Sequence, residues 1–129
     1  MQTNQEQLLK LACEAAENAY APYSNFRVGA CILYEDGSIY KGCNAENASY
    51  GLSLCAERSA IAKAVADGKH TGLTAIAIYS PDKQECFPCG ACRQWISEFS
   101  DNARIIVAGK DGQPKEYSIQ ELLPNSFKF

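Results

Sequence analysis

Leu73-Thr74-Ala75-Ile76-Ala77-Ile78-Tyr79 reads as a strand, and what stands on either side of it decides the fold. Before it, Cys55 to Ala66 has helical character and is closed by Gly68. After it come a loop from Ser80 to Pro88, a helix from Cys89 to Phe99 with Cys92, Ile96 and Phe99 on its buried face, and a strand from Arg104 to Ala108. Toward the N-terminus, Ser38 to Cys43 and Phe26 to Tyr34 are two antiparallel strands joined by a hairpin turn at Glu35-Asp36-Gly37. Ala21-Pro22-Tyr23-Ser24-Asn25 separates them from a helix that Asn4 caps, with Gln7 at the capping-box position and Leu8, Leu11, Ala12, Ala15 and Ala19 at helical spacing, so this helix should run to about Ala19. Toward the C-terminus follow a turn at Asp111-Gly112, an extended piece at Lys115 to Tyr117 and a short helix from Ser118. Mixed helices and strands in this order predict a layered α/β fold.

The 129 residues contain no linker-like tract and no internal repeat, so a single domain spanning 1–129 is expected. Hydrophobic residues make up 47% and charged residues 21%, with a formal charge of -3, which is globular composition and argues against disorder. Met1 to Gln7 shows neither a basic leader nor an apolar run, and no later segment approaches membrane-spanning length; a cytoplasmic protein with no membrane partner is the expectation. No Lys/Arg tract supplies a nucleic-acid footprint, which favours a small neutral ligand over a polynucleotide. Cysteines number 7, an odd count, and Cys86, Cys89 and Cys92 are closely spaced, so metal ligation in a reducing compartment fits better than a disulfide scaffold.

Cys55-Ala56-Glu57 and Pro88-Cys89-Gly90-Ala91-Cys92 together supply three soft ligands and one carboxylate that ligation does not need. That donor set describes a hydrolytic zinc site with an open position better than a closed structural one. If both helices begin at one end of adjacent strands, their free amides and positive dipole ends converge on the thiolates of Cys55, Cys89 and Cys92 and help keep them ionised. Zinc with three thiolates carries a formal charge of about -1, so positive potential is needed to acidify a bound water. Arg58 is the local source, donating to ligand sulfurs; a solvent-facing helical arginine is the competing reading. Glu57 is the candidate proton shuttle, since a water must lose a proton to attack an amidine-like carbon and the departing amino group must gain one; simple helix-terminus chemistry is its bland alternative. Cys86 opens a real competitor, a closed four-sulfur structural site with Cys55, Cys89 and Cys92. Because Phe87-Pro88 intervenes, Cys86 is assigned to packing or the loop. An iron–sulfur cluster is less favoured, since the compact run lacks a local fourth cysteine. Pro88, the remote Cys55 and Glu57 two residues later match the three-cysteine form of the zinc deaminase signature.

Several linked stretches carry a closer likeness: Pro22-Tyr23-Ser24-Asn25-Phe26-Arg27-Val28-Gly29-Ala30, Gly42 through Leu52, Cys55-Ala56-Glu57-Arg58, Pro88 through Gln94, and Leu122-Leu123-Pro124 before Phe127. With these in order over nearly the whole chain, it resembles the short, homotetrameric cytidine deaminases. The resemblance implies a three-layer fold with a central mixed sheet of about five strands flanked by helices, and one zinc per subunit. It implies hydrolysis of cytidine or deoxycytidine to uridine or deoxyuridine plus ammonia, through zinc-bound hydroxide, in pyrimidine salvage. By the same likeness Cys55, Cys89 and Cys92 bind zinc and Glu57 is the shuttle. Asn44 and Glu46 meet the sugar hydroxyls, Phe26 walls the base, and the Ala56 backbone recognises the pyrimidine. Phe127 and the Tyr50 region reach a pocket shared between subunits of a homotetramer. Asn44 and Glu46, two apart on extended backbone, can direct both side chains to one side of a cleft, though a turn residue and a solvated one are their plain alternatives. The larger dimeric deaminases have histidine where this chain has Cys55; His70 reads as a surface loop residue. Aminohydrolysis of a modified cytosine nucleoside and a non-catalytic four-cysteine zinc module are the alternatives.

Overall fold

A computed structural model describes residues 4–128; Met1 to Thr3, part of the stretch read for a leader, and Phe129 lie outside the described residues. Helix α1 spans Gln5–Ala16 and opens on the expected capping box, with Asn4 and Gln7 each bonding the other's backbone amide. It stops short of Ala19 because the chain must turn there. The Tyr20 amide donates to Asn44 O at 3.0 Å and the Glu46 amide to Tyr20 O at 2.8 Å, geometry that a continued helix would forbid.

Strands β1 (Gly29–Tyr34), β2 (Ile39–Cys43), β3 (Leu73–Tyr79), β4 (Arg104–Ala108) and β5 (Pro114–Ser118) form one sheet in the order β2-β1-β3-β4-β5. Only β3 and β4 run parallel, so the sheet is mixed, as expected. The first strand begins at Gly29 and not at Phe26. Backbone groups of 26–28 are satisfied largely by side chains: the Asn44 amide donates to Phe26 O at 2.9 Å and its Oδ1 accepts from the Val28 amide at 2.8 Å, while Ser24 Oγ and Asp82 Oδ2 accept from the amides of Phe26 and Arg27. Helices α2 (Ala56–Ala66), α3 (Gly90–Phe99) and α4 (Ile119–Leu122) complete the order. The short α4 is held by a capping box between Ser118 and Glu121.

Strand alternation builds the layers. Ala30 and Ile32 of β1, Ile76 and Ile78 of β3, and Ile105 and Val107 of β4 point to the face covered by α2 and α3, where Ala56, Ala60, Ile61 and Ile96 meet them. Cys31, Ala75, Ala77 and Ile106 point the other way, against Leu8, Leu9 and Ala12 of α1. The α1 face uses small side chains, and at Gly29 none at all. A Cβ added there would sit 1.9 Å from Ala12 O and 2.5 Å from Ala16 N, both backbone atoms that cannot rotate aside. Gly29→Ala should therefore lower stability by about 3 kcal/mol, a melting-temperature drop of roughly 10 °C by thermal denaturation. An unchanged melt would show that α1 shifts at no cost.

The register positions the site. Gly29 at the start of β1 pairs with Cys43 at the end of β2 and with Tyr79 at the end of β3. Both strands thus finish level at one edge, and the loops 44–54 and 80–88 leave from it to deliver the starts of α2 and α3. The expected shared end holds, but the two strands are separated by β1. Gly42 lets α2 lie close to β2 at its beginning, since a Cβ there would come within 2.6 Å of Ala56 O and 2.5 Å of Ala60 N.

Candidate metal centre

Cys55 is the N-cap residue of α2 and Cys89 that of α3, and neither uses its side chain to cap its helix. Cys92 lies in the first turn of α3, fully buried, while Cys55 is half-buried and Cys89 exposed. Their sulfurs all lie within 4.8 Å of one another: Cys55 Sγ to Cys89 Sγ is 3.9 Å and Cys89 Sγ to Cys92 Sγ 3.5 Å. Sulfurs at tetrahedral vertices around zinc, each ~2.3 Å from it, stand about 3.8 Å apart, so this set fits the ion. All seven cysteines are free thiols. Cys86 stands outside the group, in the hydrophobic core on the α2 and α3 face of the sheet, where burial pushes its thiol up to about 11. The four-sulfur alternative has no support in this arrangement.

The charges around the sulfurs call for a cation. A hydrogen bond from Cys92 and the Arg58 guanidinium bring the Cys55 thiol down to about 5, against the opposing effect of burial. The same bond and burial push Cys92 well above the usual thiol range, because clustered sulfurs cannot all ionise without a positive centre. Arg58 is half-buried with its guanidinium on the sulfurs: its Nη2 donates to Cys55 Sγ at 3.3 Å, and its Nε is a buried donor without a hydrogen-bond partner among the described residues. Such an orphan N–H is costly unless strong negative charge lies nearby, which ionised ligand sulfurs provide. Arg58→Gln should retain bound metal but slow turnover about tenfold, read as kcat beside metal content. Normal turnover with an unshifted pH profile would remove that role.

Glu57, second residue of α2, is only 4% exposed. Burial first, and the Cys55 charge after it, push its carboxyl up to about 7. It is not among the clustered ligand atoms, so it stays available for proton traffic.

Of the remaining candidates, Phe26, Asn44, Glu46 and Tyr50 lie on the chain between α1 and α2, Ala56 opens α2, and Phe127 lies beside α3. Ala45 and Leu54 exchange backbone hydrogen bonds at 2.9 Å, which sets the 44–46 segment beside the residue preceding Cys55. Asn44 and Glu46 are both engaged within the chain. Asn44 holds the Phe26–Val28 backbone, while the Glu46 carboxylate accepts from the Tyr23 amide at 2.9 Å, the Ser24 amide at 3.1 Å and the Ser24 hydroxyl. The hydroxyl bond is the main cause of its lowered pKa. Each retains capacity, one amide N–H in Asn44 and an unfilled lone pair in Glu46. Phe26 is half-buried against the core, and Ala56 is buried at the first turn of α2, where backbone amides lack helical partners. Tyr50 meets Tyr23 edge-on at 6.2 Å, and Gln94 Nε2 donates to Phe127 O at 3.0 Å. His70 falls in the loop after α2 and is not among the clustered ligand atoms.

Sequence reasoning missed Ser24, which links Glu46 to the Phe26 amide at 3.0 Å. It also missed Arg27, whose guanidinium grips Asp82 with bonds of 3.1 Å and ties the Phe26 segment to the loop ending at Cys89. No local pattern marks a pair so far apart in the chain.

The cytidine and deoxycytidylate deaminase zinc-binding region matches residues 2–117. The chain belongs to the cytidine deaminase family. It is 43% identical over 125 residues to the cytidine deaminase of Halalkalibacterium halodurans, covering 96% of this chain and 94% of that one. The cytidine deaminase structure from Burkholderia pseudomallei superposes with a TM-score of 0.91 at 41% identity, covering 97% and 100% of the two chains. That from Mycobacterium tuberculosis gives 0.85 at 35% identity, covering 99% and 100%. Like other cytidine deaminases, this protein is a zinc-dependent hydrolase, and its three-layer architecture is that of the family.

Proposed function

We propose that this enzyme, one catalytic domain of residues 1–129, hydrolyses cytidine and deoxycytidine to uridine and deoxyuridine with release of ammonia. The observation that carries the reading is a cluster of three sulfurs within 4.8 Å with the buried Glu57 two residues from one of them. Cys55, Cys89 and Cys92 would hold one zinc per subunit. When bound, zinc supplies a Lewis acid that makes water acidic enough to attack at neutral pH. Glu57 would carry one proton of the attacking water to N3 as the water oxygen bonds to C4 of the base, and then carry the remaining hydroxyl proton to the 4-amino group, so that the C4–N bond breaks, ammonia leaves and C4 becomes a carbonyl. In the metal-free protein burial already raises this carboxyl to about 7, which supports a group that exchanges protons.

Backbone groups at Ala56 orient the base, Phe26 walls it, and Asn44 and Glu46 use their remaining hydrogen-bond capacity on the sugar hydroxyls. Their internal bonds support this role, because a group already anchored loses little entropy on binding. A carboxylate at the sugar and a net charge of -3 favour nucleoside over nucleotide and over nucleic acid. Tyr50 is 76% exposed and Phe127 66%, and neighbouring Leu52 is also exposed; apolar groups so placed support a homotetramer whose subunits share the pocket. Among the described residues no helix is long and apolar enough to cross a membrane; the reading assigns a cytoplasmic salvage enzyme.

The test is zinc analysis with an ammonia assay on cytidine, deoxycytidine, cytosine and cytidine monophosphate. One zinc per chain and ammonia from the two nucleosides is the expected result. Zinc without ammonia release, or equal use of the monophosphate, would overturn it.

A further inference from the structure

Arg93 follows the last candidate ligand and belongs to none of the groups described so far. Its Nε donates to Pro88 O at 2.8 Å and its Nη1 to Leu122 O at 2.8 Å, while its backbone amide donates to Cys89 O at 2.9 Å. The carbonyls on both sides of Cys89 are therefore fixed by one residue. Among the described residues Arg93 forms no ion pair, so a half-buried guanidinium is committed to neutral carbonyls. Its fork geometry allows two divergent carbonyls to be held at once, which an ammonium cannot do in the same way.

The second carbonyl belongs to a segment fastened along α3. Beyond Leu122, Gln94 Nε2 donates to Phe127 O at 3.0 Å, and Lys128 Nζ bonds Ser97 O at 2.5 Å and Asp101 at 2.9 Å. The C-terminal segment thus lies on α3 as a strap, and Arg93 ties the chain at Leu122, where that segment begins, to the loop that delivers Cys89. Cys89 needs such an anchor most. It is the exposed one of the three sulfur donors, whereas Cys92 is fully buried and Cys55 accepts a hydrogen bond from Arg58.

We propose that Arg93 is a positioning residue that fixes the Cys89 peptide against the C-terminal strap and so holds the exposed sulfur in place for the metal. The inference rests on the metal-centre reading above. It places retention of the ion under the control of a contact made outside the ligand set, and losing such a support typically costs on the order of 10- to 100-fold in metal affinity.

Transfer of zinc from the folded holoenzyme to a chromophoric chelator tests it, in Arg93→Met, Arg93→Lys and Gln94→Ala, with folding checked by circular dichroism and melting of the metal-free forms. Arg93→Met should release zinc at least ~10-fold faster. Arg93→Lys, which keeps the charge and loses the fork, should also be accelerated, and it carries the test if the methionine variant does not fold. Gln94→Ala loosens the strap at Phe127 without touching the Cys89 loop, so its release should stay within about twofold of wild type even if its melting temperature falls. Equal acceleration in Gln94→Ala would mean general loosening and overturn the assignment. So would a wild-type release rate in either folded Arg93 variant. A wild-type protein that binds no zinc would instead overturn the metal-centre reading itself.

Discussion

Glu57→Gln should keep zinc at wild-type stoichiometry while ammonia release from cytidine falls about a thousandfold, within the range that loss of a positioned acid–base group produces. The substitution is nearly isosteric, and at 4% exposure the side chain is held by packing, so shape is preserved while proton transfer is lost. Zinc analysis beside a steady-state ammonia assay reads both, and wild-type turnover would remove Glu57 from the reaction. A stability measurement separates the carboxyl from general damage. In the metal-free protein the pKa is raised from 4.5 to about 7, chiefly by burial. A raised folded-state pKa contributes stability that is fully present below pH 4.5 and is lost once pH has risen through about 7. Glutamine has no such dependence. The metal-free variant should therefore gain on wild type as pH rises across that window, measured by denaturant unfolding.

The second large effect belongs to the ligands. Cys92→Ala should abolish stoichiometric zinc and bring turnover to background, whereas Cys86→Ser should retain zinc and most activity. A full set of structural zinc ligands contributes ~10–16 kcal/mol, so losing one of three thiolates costs on the order of 3 kcal/mol or more, over a hundredfold in affinity. Both cysteines are buried and sit only six residues apart, so a non-specific loss of packing would affect them alike. Metal content after gel filtration distinguishes them. Loss of zinc in Cys86→Ser would revive a four-sulfur site.

The ligand types, their helices and the carboxylate between them were readable along the chain. Cys89 and Cys92 share one helical turn, and Glu57 follows Cys55 within another, so local spacing alone placed them near helix starts. The hairpin at Asp36-Gly37 and the capping boxes at Asn4 and Ser118 were equally local in origin, although only the first of the two boxes was foreseen. The errors fell where distant segments compete for the same backbone groups. Phe26 to Val28 left the predicted strand because Asn44 satisfies it from another loop, and α1 ended early because Tyr20 pairs with the 44–46 segment.

What the order of residues settled, then, was the chemistry on offer: three thiols, one acid and one guanidinium, each on an element whose periodicity is a property of neighbours in the chain. Their meeting was settled by packing. Gly29 brings the ends of β2 and β3 level, the resulting loops bring Cys55 within 3.9 Å of Cys89, and burial turns Glu57 into an acid near neutrality. Distances between remote segments and the desolvation of a carboxyl arise only when the layers close, because each depends on atoms that sequence proximity does not bring together.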